Sequence, residues 1–135
     1  MRLWHYKLIS CLPDSQLKSQ WRELNSIYKN QPNHILINYV YNFPKEDLYV
    51  YSRLVINEMI KRGFKINNYI NFNNYFKELN FDNISKNLVP FKSIHDKYYY
   101  LICSYNLFEK YIRNQKDFSE ENMKKIYDIF INDIN

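Results

Sequence analysis

The sequence predicts an all-α fold, a compact single domain over residues 1–135 with three principal helices and a C-terminal helix. Three observations point there. One glycine and four prolines leave few sharp turns, which disfavours a many-stranded sheet. Apolar residues recur at spacings of three and four along several stretches. Proline, serine or aspartate followed by acidic residues stands before most of those stretches, the usual mark of a helix start. A chain of 135 residues can bury one core without metals or disulfides. Its 46% hydrophobic and 24% charged residues describe a globular chain, not a disordered one.

The first helix is expected to begin near Asp14, after Pro13, with Asp14 as the N-cap because its carboxylate can accept an unpaired backbone N–H. Leu17, Trp21, Leu24 and Tyr28 form its buried stripe. Lys18, Arg22 and Lys29 share a neighbouring face, while Gln16, Ser19, Glu23 and Ser26 line another. Arg22 and Glu23 are adjacent in sequence and point about 100° apart, so they do not pair locally. Ser19, Gln20, Ser26 and Ile27 fill the neighbouring turns around Glu23, which leaves its carboxylate for something outside the helix. His34 to Phe43 reads as an irregular or short extended connection. A second helix starts around Pro44, with Glu46 and Asp47 complementing the positive end of the dipole. Leu48, Tyr51, Val55 and Met59 mark its buried side. Lys61 and Arg62 close it, where they either contact phosphate or stabilise the helix C-terminus. Gly63 is placed for the left-handed terminal conformation, with Phe64 folding back. A short helix is expected around Tyr69 to Leu79. Ser93 with Asp96 three residues later announces a third strong helix, whose stripe is Leu101, Tyr105, Phe108 and Ile112. The last helix follows Asp117 to Ser119, with Met123, Ile126, Tyr127 and Phe130 periodic.

A net charge of +5 favours polyanionic partners, of which nucleic acid is the commonest. Aromatic residues make up 19% of the chain, enough for stacking surfaces as well as a core. Asparagine enrichment accompanies that of Ile, Lys and Tyr and is better explained by an AT-rich coding sequence than by base reading. Cys11 and Cys103 stand far apart and are expected as reduced thiols. His5, His34 and His95 are scattered and form no zinc signature. Leu8-Ile9-Ser10-Cys11 looks like a lipoprotein cleavage box, but the segment before it is too short and polar for an apolar signal. No membrane-spanning segment is visible. A cytoplasmic location without membrane attachment is expected.

Phosphate-binding glycine loops and Ser–His–Asp patterns are absent. By elimination the candidate apparatus is the amino terminus with Glu23. An α-amino group titrates near 8, about 2.5 units below lysine. At neutral pH it is therefore roughly a few hundred times more available as a neutral nucleophile, worth about 3.5 kcal/mol. Such an amine can attack a deoxyribose C1′ and form an imine. A nearby carboxylate can stabilise positive charge on the sugar and move protons. On these residues alone, the ordinary reading of Glu23 is a solvated surface carboxylate, since every chain has an amino terminus.

Company lifts the pair above that reading. Leu8, Ser10, Leu12, Asp14, Leu17, Trp21, Arg22, Glu23 and Leu24 resemble the lead-in and first helix of the pyrimidine-dimer DNA glycosylase/AP-lyase family. Glu58, Lys61, Arg62, Gly63, Phe64 and Ile66 are similar to the end of that family's second helix, and Leu107, Glu109 and Lys110 look like its third. The resemblance covers most of residues 1–112. It implies base excision followed by β-elimination on damaged double-stranded DNA, with pyrimidine dimers as one candidate lesion, by a monomer needing neither metal nor organic cofactor. Met1 would then donate the amine and Glu23 the carboxylate. Arg2 and Arg22 would contact phosphate or substrate, and Gln16, Lys18 and Lys29 would extend the binding face.

The chain departs from the family pattern at several points. Arg2 stands where a small residue permits loss of the initiator methionine, so Met1 itself is expected to carry the amine, one residue further out. Gln16 replaces a histidine and Ser26 an arginine, and the loop after the first helix is shorter. A helix after Asp117 replaces an aromatic C-terminal segment linked to dimer recognition. Two other readings stay open: a nucleic-acid-binding relative without catalysis, and a small helical interaction module.

Overall fold

The computed structural model describes residues 1–134. Among them, α-helices span Asp14–Asn30 (α1), Lys45–Lys61 (α2), Tyr69–Tyr75 (α3), Lys97–Ile112 (α4) and Glu120–Asp133 (α5). Short 3-10 helices cover Tyr6–Cys11, Asn38–Asn42 and Phe81–Asn83, and no described residue is in a strand. The chain is all-helical, as its periodicity predicts. None of the described helices is long and apolar enough to cross a membrane.

The helix α1 packs on α2 and α3, and the Tyr6–Cys11 turn packs against α2 and α5. The expected stripe of Leu17, Trp21, Leu24 and Tyr28 is buried, joined by Ile27 and by two polar residues, Gln20 and Asn25. Leu48, Tyr51, Val55 and Met59 of α2 are buried in the same core. The amino-terminal segment is part of it too: Leu3, Trp4, His5, Leu8, Ile9, Cys11 and Leu12 are all buried. Each fully buried aliphatic side chain contributes on the order of 2 kcal/mol by leaving water.

Several local expectations are corrected. Asp14 is not the cap of α1; Pro13 holds that position, and its carbonyl accepts the N–H groups of Gln16 and Leu17 at 3.0 Å each. The unpaired Ser15 N–H is instead taken at 2.6 Å by the carboxylate of Asp117, far along the chain. Residues 34–43 are not extended. The Ile37 N–H reaches the His34 carbonyl at 2.9 Å and the Asn38 side chain accepts the His34 N–H at 2.8 Å, closing successive turns. The helix α4 begins after Asp96, whose carboxylate accepts the Tyr99 N–H, so Ser93 lies outside it. Its core face is Tyr100, Cys103 and Leu107. Tyr105 and Ile112 of the expected stripe are 73% and 60% exposed. Apolar side chains surround this helix on nearly every side, so periodicity does not select a face; the neighbours beneath it do. Tyr127 of α5 is likewise exposed, whereas Ile126 is buried and Ser119 with Asn122 closes a capping box.

The end of α2 follows its sequence signal. Gly63 takes φ +79°, its N–H bonds the Ile60 carbonyl, and the Phe64 N–H bonds the Met59 carbonyl. Arg62, for which two roles stood open, is engaged inside the protein. Its guanidinium holds Glu58 at 2.8 Å, Asp14 at 3.0 Å, and the carbonyls of Leu12 and Ser10 at 2.7 and 3.2 Å. Lys61 is exposed.

Two buried histidines sit behind the amino-terminal segment. His95 accepts the Tyr6 N–H on Nδ1 at 3.2 Å, which puts its proton on Nε2 for the Tyr39 hydroxyl at 2.7 Å. His5 Nδ1 accepts the Lys7 N–H at 3.1 Å. Burial lowers His5 to about 4 and His95 to about 3.

Replacing Arg62 by alanine should cost roughly 2–4 kcal/mol in chemical denaturation, because two carbonyls and two carboxylates lose their donor together. Lys61→Ala should stay within about 0.5 kcal/mol of the parent; equal losses at the two positions would contradict the clamp. The histidines set a second expectation. The unfolded chain binds protons near pH 6.5 that the folded chain refuses until about pH 4 and 3. Stability should therefore fall as pH drops below about 6.5, by up to about 1.4 kcal/mol per unit for each histidine. Either imidazole titrating near 6.5 in the folded protein, followed by NMR, would contradict this.

Candidate active site

The chain leaves the core between α1 and α4 along residues 4 to 1, and nearly every peptide there is fastened by a side chain. The Trp4 N–H donates to Gln20 Oε1 at 2.9 Å, and the Trp4 carbonyl accepts the Tyr51 hydroxyl at 2.6 Å. The Leu3 carbonyl accepts the Tyr99 hydroxyl at 2.5 Å. Gln20 Nε2 donates to the Arg2 carbonyl at 3.1 Å and to Glu23 Oε2 at 3.1 Å, and the Arg2 N–H reaches the same Glu23 oxygen at 3.3 Å. The Gln20 amide orientation follows from its partners, since a flipped amide would set two donors against the Trp4 N–H.

Residue 1 thus emerges beside Glu23. Met1, Arg2, Gln16, Ser19, Glu23 and Lys110 help line a pocket of about 360 Å³. Burial raises the Glu23 pKa, opposed by the Arg2 N–H, the positive amino terminus and the Gln20 amide. The expectation that Glu23 finds its partners off its own helix holds for Arg2, while Gln20 is a partner on the same helix.

The candidate residues divide into two groups. Met1, Arg2, Gln16 and Glu23 share this pocket. The Arg2 guanidinium lies over the Tyr99 ring, 5.9 Å from its centroid. The Gln16 amide donates to Gln115 at 3.1 Å. Lys18, Arg22 and Lys29 instead line a groove of about 840 Å³ on the other flank of α1, with Lys65 and Trp21 and no acidic residue. Lys18 Nζ lies 4.4 Å from the centre of the Phe64 ring. The Arg22 side chain is exposed and makes no hydrogen bond or ion pair with the described residues. The helix α1 therefore separates a pocket lined by Met1 and Glu23 from a basic groove, because neighbours in sequence point about 100° apart. Among the described residues, no group of three or more His, Cys, Asp or Glu could hold a metal ion.

Gln20 and Lys110 were not singled out as site residues by spacing. Gln20 carried a signal nonetheless: an amide on an otherwise apolar stripe, three residues after Leu17 and four before Leu24, marks a buried polar network. Lys110 carries a signal only through its resemblance to the family's third helix, since the packing of α4 is what brings it to the pocket.

The raised Glu23 pKa fixes the sign of a stability test. The folded protein holds the Glu23 proton to higher pH than the unfolded chain does, so ionising it costs stability as pH rises through that window. Glu23→Gln should melt above the parent at neutral pH, and the gap should close as pH falls below the usual carboxylate range. A variant melting lower than the parent at neutral pH would contradict this.

Among curated proteins and among solved structures, none matches the chain. The profile of the family described as pyrimidine dimer DNA glycosylase matches residues 1–71, more than half of the 135. That span takes in the residue 1–4 segment, all of α1 with Gln20 and Glu23, the Arg62–Gly63 corner and every lining residue of the pocket except Asn106 and Lys110; the chain belongs to the pyrimidine dimer DNA glycosylase family.

Proposed function

We propose that this chain excises damaged bases from double-stranded DNA and then breaks the strand, using the Met1 α-amine as nucleophile and Glu23 as the carboxylate that moves protons. The observation carrying this reading is the shared pocket: residue 1 opens into the space that the half-buried Glu23 carboxylate lines. The amine attacks C1′ of the damaged nucleotide, the C1′–N bond breaks, and its electron pair leaves with the base. Loss of the amine proton and opening of the sugar ring give an imine at C1′. The imine acidifies the C2′ hydrogen, which Glu23 removes as the C3′–O bond breaks and the phosphate departs. Burial, by raising the proton affinity of Glu23, brings it closer to the pH at which a carboxylate can both take and return a proton.

Lys18, Arg22 and Lys29, lining a groove without acidic residues, suit phosphates flanking the lesion. The Arg2 guanidinium over Tyr99 suits anchoring of the terminus better than phosphate contact. Extrusion of the damaged nucleotide from the stack would bring C1′ to the pocket. One observation favours a second reading, a DNA-binding relative without catalysis: the nitrogens bonded to Glu23 are the Arg2 amide and Gln20 Nε2, and neither is an amine.

Borohydride reduction of the imine separates the two. Incubation with abasic-site DNA should leave a covalent adduct that mass mapping places on residue 1, and acetylating the terminus should abolish it. Glu23→Gln should slow base excision by roughly 100-fold or more, with DNA affinity retained. Binding should weaken steeply between low and moderate salt, and Arg22→Ala should lower both affinity and salt slope by about one phosphate contact. Salt-sensitive binding with no trapped adduct would establish the second reading in place of the first.

A further inference from the structure

We propose that Gln20 is a positioning residue, whose single buried amide sets both the register of the amino-terminal segment and the orientation of the Glu23 carboxylate; as a role in a reaction, this rests on the reading above. Gln20 is 1% exposed, and each of its polar positions is used. Its oxygen takes the Trp4 N–H at 2.9 Å and faces the Tyr51 hydroxyl at 2.9 Å. Its two N–H groups go to the Arg2 carbonyl and to Glu23 Oε2, each at 3.1 Å. One planar group thus grips the segment on both sides of Leu3 and grips the carboxylate as well.

The grip has two chemical results. The spacing between the residue 2–3 peptide and Glu23 is set by one nitrogen, because Gln20 Nε2 donates to the Arg2 carbonyl and to Glu23 Oε2 alike. A one-residue slip of the segment would set carbonyl against carbonyl and N–H against N–H, so the register is specified. The two N–H donors, from Arg2 and Gln20, also converge on Oε2. No hydrogen bond among the described residues reaches Oε1, which leaves that oxygen for proton transfer in the pocket. An amide is the side chain this position requires. A carboxylate would crowd a second negative charge against Glu23 and the Arg2 carbonyl, and an aliphatic group would leave several buried groups unpaired.

Gln20→Met in the full chain tests this, since it keeps the length of the side chain and removes both donors. With Glu23 followed by carbon NMR in the absence of DNA, its titration should move up by about one pH unit relative to the parent. Single-turnover trapping of abasic-site DNA should slow roughly 10- to 100-fold, its pH dependence moving up with the Glu23 titration, while DNA affinity changes by less than about twofold. A folded Gln20→Met protein with an unmoved Glu23 titration, or one trapping DNA at the parental rate and pH, overturns the proposal. A loss of trapping that is uniform with pH and tracks the unfolded fraction overturns it as well, because that is what a purely structural role gives. If Gln20→Met does not fold, Tyr51→Phe takes its place: it frees one side of the Gln20 oxygen, and an unmoved Glu23 titration there overturns the proposal. A parent protein that binds but traps no DNA overturns the lyase reading separately, with the DNA-free titration still deciding whether Gln20 governs Glu23.

Discussion

A backbone buried in an apolar core must pair its N–H and carbonyl groups, and the three carbonyls of residues 2 to 4, with the N–H groups of Arg2 and Trp4, are paired without helix or strand. Side chains take the part of a neighbouring strand. Gln20 and Glu23 come from α1, Tyr51 from α2 and Tyr99 from α4, each bonding a different peptide group of the segment. Three helices thereby meet on three residues, and the position of each depends on the others. This explains why polar groups sit on otherwise apolar helix faces. Among the described residues no buried side-chain nitrogen or oxygen lacks a partner, so every side chain recruited into the network is satisfied there.

Arg62 does for the start of α1 what Gln20 does for the segment before it. The turn from Tyr6 to Cys11 ends in carbonyls that no helix continues, and the guanidinium at the end of α2 takes those of Ser10 and Leu12. Asp117 supplies the acceptor that the Ser15 N–H needs, by way of the loop before α5. The lead-in to α1 is therefore held from two distant parts of the chain. Fixing its entry fixes the rotation of α1 about its axis, and that rotation sends Glu23 to one flank and Arg22 to the other.

Much of this was legible in the sequence where local chemistry decides. The Pro44 start, the acidic first turn of α2, its Gly63 stop and the buried stripe of α1 follow from propensity and spacing alone. Features set by tertiary partners were less legible. Asp14 looked like a cap because a suitable side chain stands at the right place; its carboxylate instead pairs with Arg62, and Asp117 serves the helix end. The buried face of α4 was misread because the helix is apolar almost all round, leaving the choice to what lies beneath it. Of the motif Trp21-Arg22-Glu23-Leu24 only Glu23 lines the pocket, and the Gln20 amide that holds it stands outside that motif.

The fastening of the amino-terminal segment has a consequence in time. Leu3 leaves the ribosome almost a hundred residues before Tyr99, to which its carbonyl is bonded, and Tyr6 waits nearly as long for His95. This early stretch is thus among the last to be secured. Such distant pairings slow folding, because the loop they close must be ordered before the contact repays it. A nascent or truncated chain lacking α4 holds Glu23 and residue 1 without the ring that locks their spacing. The lining of the pocket is complete only once α4, which brings Asn106 and Lys110 to it, has folded against α1.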